Sequence, residues 1–281
     1  MSKNKNKFSL LSTPYFIWSI LFIIVPLLII LFFSLTQNTA DGYKFSLVNF
    51  TRMFQEQYAA IFFKSLWLAI ISTIICLILG FPIAYIISKT NIKKRNLLIM
   101  LFILPMWMNF LLRTYAWIPI LGKFGVINNF LGLFGIEPIQ LLYRDGTILL
   151  GMVYNFLPFM ILPIYTVLSK IDSNLINAAK DLGADNKYVF KKIIFPLSLP
   201  GVVSGITMVF MPAVSTFVIS KLLGGGKTML IGNVIEQQFT SINNWHFGSS
   251  IAIVLMILIL ISMAFMSKFS NDNVQGGGKL W

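Results

Sequence analysis

The chain has 281 residues, 57% of them hydrophobic and only 11% charged, with a net charge of +13 at pH 7. A soluble domain carries about 25% charged residues, so this composition excludes an ordinary soluble fold and points to one membrane domain of spanning helices. The basic excess is not a nucleic-acid signature, since no soluble basic domain exists to carry it, and it fits contact with anionic lipid instead. The single Cys76 excludes an intramolecular disulfide, and the single His246 has no partner for a metal site.

A span needs about 20 apolar residues to cross ~30 Å of hydrocarbon. The first candidate, Pro14–Thr36, follows Lys3, Lys5 and Lys7. It is too long for a secretory h-region and lacks a small-residue cleavage site, so it reads as a retained first span. Further spans are expected at Lys64–Ile87, Leu97–Pro119, Thr147–Leu168, Leu197–Leu222 and Gly248–Ser267. The expected fold is an all-α, polytopic bundle of six transmembrane helices. Residues 1–60 hold an N-terminal tail, the first helix and an outer loop. Residues 61–268 form the transmembrane domain, with a long loop at 170–196, and 269–281 form a tail.

The connecting segments alternate in charge. The N-terminus and the segments 88–96, 169–196 and 268–281 hold 14 of the Lys and Arg residues, against five in the alternate loops. The positive-inside rule then puts both termini in the cytoplasm. Pro105, Pro158, Pro163 and Pro212 fall inside spans, while Pro196 and Pro200 flank the entry to the fifth. Proline removes a backbone donor and kinks a helix, which a membrane tolerates where neighbours or a water-lined cavity satisfy the freed carbonyls. Bent helices suit a translocation path.

The long basic loop is the informative segment. Asp172 or Ser173 can cap a short helix, Leu175, Ala178, Ala179 and Leu182 recur at helical spacing, and Gly183 stands where a left-handed residue stops it. Asp185 or Asn186 can cap a second helix running into Pro196. Such a helix–turn–helix outside the bilayer either docks into another protein's groove or packs on its own bundle.

The spacing in this loop resembles that of the binding-protein-dependent permeases of ATP-binding-cassette importers. Their pattern is Glu-Ala-Ala, three residues, Gly, nine residues, then Ile-x-Leu-Pro. Here Asn177-Ala178-Ala179 is followed by Gly183 and then by Ile193-Ile194-Phe195-Pro196. Asn177 replaces the acid and Phe195 the Leu, which puts one charged contact with an ATPase in doubt. The resemblance implies a type I importer (MetI-like) bundle. It also makes 173–183 the coupling helix, with Asn177, Ala178, Ala179, Asp181, Gly183, Ile193 and Pro196 as ATPase-coupling residues.

Longer strings are similar to the spermidine/putrescine branch of that family: Leu111–Trp117, Gly151–Met160, Pro212–Ser220 and Leu222–Lys227. This implies a permease subunit of a polyamine importer in a bacterial plasma membrane, forming half of the pathway. Its implied partners are a second permease (PotC-like), a dimeric ATPase (PotA-like) that binds the ATP and Mg, and an extracytoplasmic polyamine-binding protein (PotD-like). A cargo other than a polyamine, or an ATP-independent channel or secondary transporter, are the alternatives.

No catalytic constellation is found. Gly226-Lys227-Thr228 imitates the end of a phosphate-binding loop, but Lys221 stands where the first Gly belongs, and the glycines read as a flexible outer turn. Arg113, a charge inside a span, is a functional candidate by default, although its long side chain can also snorkel to the headgroups. No Asp or Glu lies within a span, so a polycation needs other partners. Trp107, Tyr115, Trp117 and Tyr154 are substrate-path candidates through cation–π contact or, alternatively, an interfacial aromatic belt. The partner permease can also supply the acids, or affinity can reside in the capture protein.

Overall fold

A computed structural model describes residues 13–39 and 42–276. Lys3, Lys5, Lys7 and Lys279, with the Gly-rich end at 277–281, lie outside the described residues. Among the described residues, six helical stretches are long and apolar enough to cross a membrane: Thr13–Ser34, Glu56–Lys89, Phe110–Gly132, Asp145–Leu168, Asn186–Ser215 and Trp245–Lys268. The described residues divide into two compact units. One takes those up to Ala59 together with Val234–Leu258, and the other takes Ala60–Asn233 together with those from Ile259 onward.

In the first unit, α1 (Thr13–Ser34) contains a π-helical turn at Ile20–Ile24. A short antiparallel hairpin follows, β1 (Thr36–Thr39) on β2 (Gly42–Phe45), the one addition to an otherwise helical chain among the described residues. After α2 (Val48–Arg52), the Arg52 guanidinium lies 4.5 Å from the Phe247 ring. His246 Nδ1 lies 3.1 Å from the Phe33 carbonyl, and Ser250 donates to the Ser34 carbonyl at 3.1 Å. Both contacts are structural.

The second unit is organised around α8 (Asp145–Leu168). Before it come α3 (Glu56–Lys89), α4 (Ile92–Trp107), α5 (Phe110–Tyr115), α6 (Trp117–Leu121) and α7 (Val126–Gly132). After it come α9 (Ser173–Asp181), α10 (Asn186–Ser215), α11 (Val218–Leu223), the start of α12 (Ile231–Thr240) and the end of α13 (Trp245–Gly276). Inside lipid there is no hydrophobic drive between helices, so close approach through small residues has to supply the contact. The glycines do so here. A Cβ at Gly201 would stand 2.9 Å from the Pro163 carbonyl oxygen, and one at Gly205 would stand 2.7 Å from Met160 Sδ. From the other side, a Cβ on Gly80 of α3 would stand 2.9 Å from Met160 Cγ. Met160 is fully buried between the two.

Two sequence expectations are corrected. The third span does not run from Leu97 to Pro119: α4 stops at Trp107 and the backbone is extended at Met108. Asn109 then caps α5, its Oδ1 accepting from Leu111 N at 2.8 Å. With Pro105 lacking a donor and a good cap four residues on, an apolar run became two helices. The fifth span likewise begins at Asn186 and ends at Ser215, with Thr216 extended, so Leu197–Leu222 is not one helix. Asn233 closes this second break, its Nδ2 donating to the Phe217 carbonyl at 2.9 Å.

The glycine turn after α11 is packed. Gly224 N donates to the Ser220 carbonyl at 2.9 Å, and the faces of Gly225 and the Tyr143 ring touch so closely that a Cβ has no room. Tyr143 itself sits at φ 66, a conformation uncommon for an aromatic residue.

Gly205→Leu forces the α8–α10 contact apart and is expected to cost about 1–3 kcal/mol, the usual scale of overpacking. A lowered thermal transition of the detergent-solubilised protein checks this. Gly146→Ala, which meets nothing within 4 Å, is expected to leave the transition in place.

Candidate functional site

The loop between α8 and α10 is built from caps. Asp172 accepts from Asn174 N at 2.9 Å and starts α9. The helix ends in a Schellman arrangement: Gly183, at φ +86, donates to the Lys180 carbonyl at 2.9 Å, and Ala184 N donates to the Ala179 carbonyl at 3.0 Å. Asp185 then accepts from Tyr188 N at 2.8 Å and starts α10. Gly183 as the stop was expected from sequence, and of the alternatives it left open, Asp172 or Ser173 and Asp185 or Asn186, the two aspartates are the caps.

One face of α9 is turned in and one out. Ile176 is buried, lining with Tyr85, Ser88, Leu168 and Ile194 a cavity of about 220 Å³ where the ends of α3 and α8 meet. Leu175 and Ala178 are exposed, and Leu182 is 90% exposed. Ala179, Leu182, Gly183, Asp185 and Tyr188 line an open groove of about 510 Å³ between α9 and the start of α10. Asn177, Ala178, Asp181, Gly183 and Pro196 are exposed, and Ala179 and Ile193 are half-buried. The exposed stripe is therefore free of this chain's own bundle.

The two departures from the permease pattern have different consequences. Asn177 is exposed, so replacing the acid takes away a surface charge only. Phe195 is structural. Its ring lies 5.8 Å from Phe81, and Phe190 lies 5.9 Å from Phe81 and 5.7 Å from Tyr85, so aromatic packing fastens the base of the loop to α3. A π-helical turn at Phe190–Ile194 precedes Pro196, widening the helix where the proline has no N–H to give.

A second group of candidates lies where α5 crosses α8. Arg113 does not snorkel: it is only 5% exposed, and its guanidinium Nη1 donates to the Pro105 carbonyl at 2.8 Å. Its partner is thus the capped end of α4, eight residues back, where the Pro105 carbonyl also takes the Met108 N–H at 3.2 Å, rather than a carboxylate. The guanidinium carbon is 5.7 Å from the Tyr154 ring, and Trp117 stands edge-on to Tyr154 at 5.3 Å. Arg113, Trp117 and Tyr154 are brought together. Trp107, 79% exposed, and Tyr115, 49% exposed, lie outside this group.

Two members were missed from sequence. Asn155 is fully buried, its Nδ2 donating to the Gly151 carbonyl at 2.8 Å and to Thr114 Oγ1 at 3.3 Å. Thr114 is also fully buried. A polar amide in the apolar run from Gly151 to Met160 was the available signal. At the end of α8 remote from the loop, Asp145 pairs with Lys64 at 2.9 Å and accepts from Thr228 at 3.1 Å.

Residues 77–275 match the family described as the binding-protein-dependent transport system inner membrane component. The chain belongs to that family. The spermidine/putrescine transport system permease protein PotB of Haemophilus influenzae is 39% identical over 279 residues, covering 96% of this chain and 98% of that protein. Its Escherichia coli K12 counterpart is 40% identical over 266 residues, covering 92% and 97%. The E. coli inner membrane ABC transporter permease protein YdcU is 30% identical, covering 79% and 75%. Among solved structures, a bacterial ABC transporter involved in import of the acidic polysaccharide alginate superimposes with a TM-score of 0.82 at 17% identity, over 96% of both chains. The MetNI methionine ABC transporter gives 0.55 at 16% identity, over 75% and 93%. These last two are likenesses of fold alone.

Asp172→Ala removes the cap of α9 and is expected to cost that helix about 1 kcal/mol. Faster amide hydrogen exchange over 173–181, with exchange in α8 unchanged, is the expected result.

Proposed function

We propose that this family member is the permease subunit of an ATP-driven polyamine importer for spermidine and putrescine. The observation that carries the reading is the match at 39–40% identity, over nearly the whole chain, to permeases of spermidine/putrescine systems. Its partners in this reading are a second, PotC-like permease, a PotA-like ATPase dimer that binds ATP and Mg, and a PotD-like polyamine-capturing protein. The excess of Lys and Arg on the α9 side supports cytoplasmic termini and an ATPase on that same side.

In this reading the exposed α9 stripe seats in the ATPase, with Asn177, Ala178, Ala179, Asp181 and Gly183 at the contact. Ile193 and Pro196 hold the loop's base. Closure of the ATPase around ATP pulls α9, and α8 and α10 follow together because Gly201 and Gly205 leave no slack between them. The bundle then changes access. Each state is favoured only as far as nucleotide or the loaded capture protein binds it differentially. Trp107, Arg113, Tyr115, Trp117 and Tyr154 belong to the substrate path.

ATP hydrolysis by the reconstituted complex with its capture protein is expected to rise with spermidine or putrescine and not with unrelated solutes. Leu182→Asp, which puts a charge on the docking stripe, is expected to lower the stimulated rate about tenfold, equivalent to 1.4 kcal/mol of lost docking. Stimulation by a different solute would discard the polyamine, and normal stimulation of the Leu182→Asp complex would discard the docking face.

A further inference from the structure

We infer that Arg113 is a built-in competitor for the substrate's ammonium group, occupying a carboxylate-free cation site that a polyamine enters only after the arginine leaves. The inference rests on the polyamine reading. A helix end leaves its last carbonyls without intrahelical donors and carries partial negative charge. At membrane depth, such ends of discontinuous helices are where cations are held. The end of α4 is of this kind: its Pro105 carbonyl takes the capping Met108 N–H at 3.2 Å, and its second lone pair already holds a cation, the Arg113 guanidinium at 2.8 Å.

The remaining walls also suit a cation. Tyr154 offers its ring face to the guanidinium at 5.7 Å, and Trp117 braces that ring edge-on. A helix-end carbonyl and an aromatic face are what an ammonium takes where no carboxylate stands. Arg113 fills this site imperfectly: its own Nε is buried without a partner, whereas buried donors are nearly always satisfied. Such an occupant is replaceable. It is also carried on α5, a six-residue helix that starts just beyond the extended Met108.

The arrangement reconciles a basic membrane chain with a polycationic cargo. With the arginine in place the site repels free polyamine, which keeps the path shut at rest. When the bundle rearranges and α5 turns, the same carbonyl and ring are released to the cargo.

The test is binding of tritiated spermidine to the nucleotide-free complex without capture protein, alongside spermidine-stimulated ATP hydrolysis by the wild type. Arg113→Gln keeps an N–H for the Pro105 carbonyl and removes the charge. It is expected to tighten binding about tenfold, the scale of one desolvated cation–π contact. Arg113→Lys, which keeps a tethered cation, is expected to bind less tightly than Arg113→Gln. Adding Tyr154→Leu to the Arg113→Gln chain is expected to take the gain away. A merely structural arginine gives the opposite result, with binding unchanged or weaker in the Arg113→Gln complex of normal size, and that outcome overturns the proposal while the polyamine reading stands. Absence of spermidine stimulation in the wild type overturns both.

Discussion

The close approach of α10 to α8 is the constraint on which the rest of the second unit depends. Helices in lipid gain nothing from hiding apolar surface from one another, so they hold together through contact distance and internal hydrogen bonds. Gly201 and Gly205 lie one turn apart on α10 and meet Pro163, Ile164 and Met160. Gly80 brings α3 against the opposite side of the same Met160, and Cys76 Sγ reaches the Val153 carbonyl at 3.9 Å. The loop with α9 hangs between the two helices that are pressed closest. A displacement at α9 is therefore delivered to a close-packed pair, in which sliding meets the Pro163 and Ile164 backbone at Gly201 and the Met160 side chain at Gly205.

At its far end α8 is tied by Asp145 to Lys64 and Thr228, and Ile231 N donates to Ser65 at 2.8 Å. Between these ties and the loop lies the α5 crossing, with Arg113, Tyr154 and Asn155. The broken third span is what makes that crossing possible. At the stop after Trp107 the Pro105 carbonyl takes the Met108 N–H at 3.2 Å and the Arg113 guanidinium at 2.8 Å. The interruption that hydropathy cannot see is thus where the polar chemistry of the bundle collects.

What was legible in the sequence is what is local. Asp172, Gly183 and Asp185 act within four residues of themselves, so their caps could be read directly, and the loop stands as expected. The span count was legible because length and apolarity set it. The break at Met108 was not, because a hydropathy window averages across it and an asparagine in an apolar run looks like any tolerated polar residue until its amide is seen capping α5. Arg113's partner could not be read at all, since it is a carbonyl at that break. The Gly201–Gly205 spacing was visible as a small-residue pair, yet only packing shows that Met160 faces one of them and Gly80 besides. Phe195 looked like a lapse from the family pattern, and its reason, the Phe81 and Phe190 rings, comes from a helix more than a hundred residues earlier and from its own turn.

In the proposed mechanism the exposed stripe of α9 is the surface through which the ATPase drives this chain. Cross-linking tests it most directly. Cys76 is fully buried, so a cysteine introduced at Leu182 is the reactive thiol on this loop, and a short bifunctional reagent can be applied to membranes holding the whole complex. A covalent product of this chain with the ATPase subunit, its yield changing between nucleotide-free and ATP-bound states, is the result the account predicts. An intact complex in which that position links only to the chain's own bundle, or to nothing, in both states would contradict it.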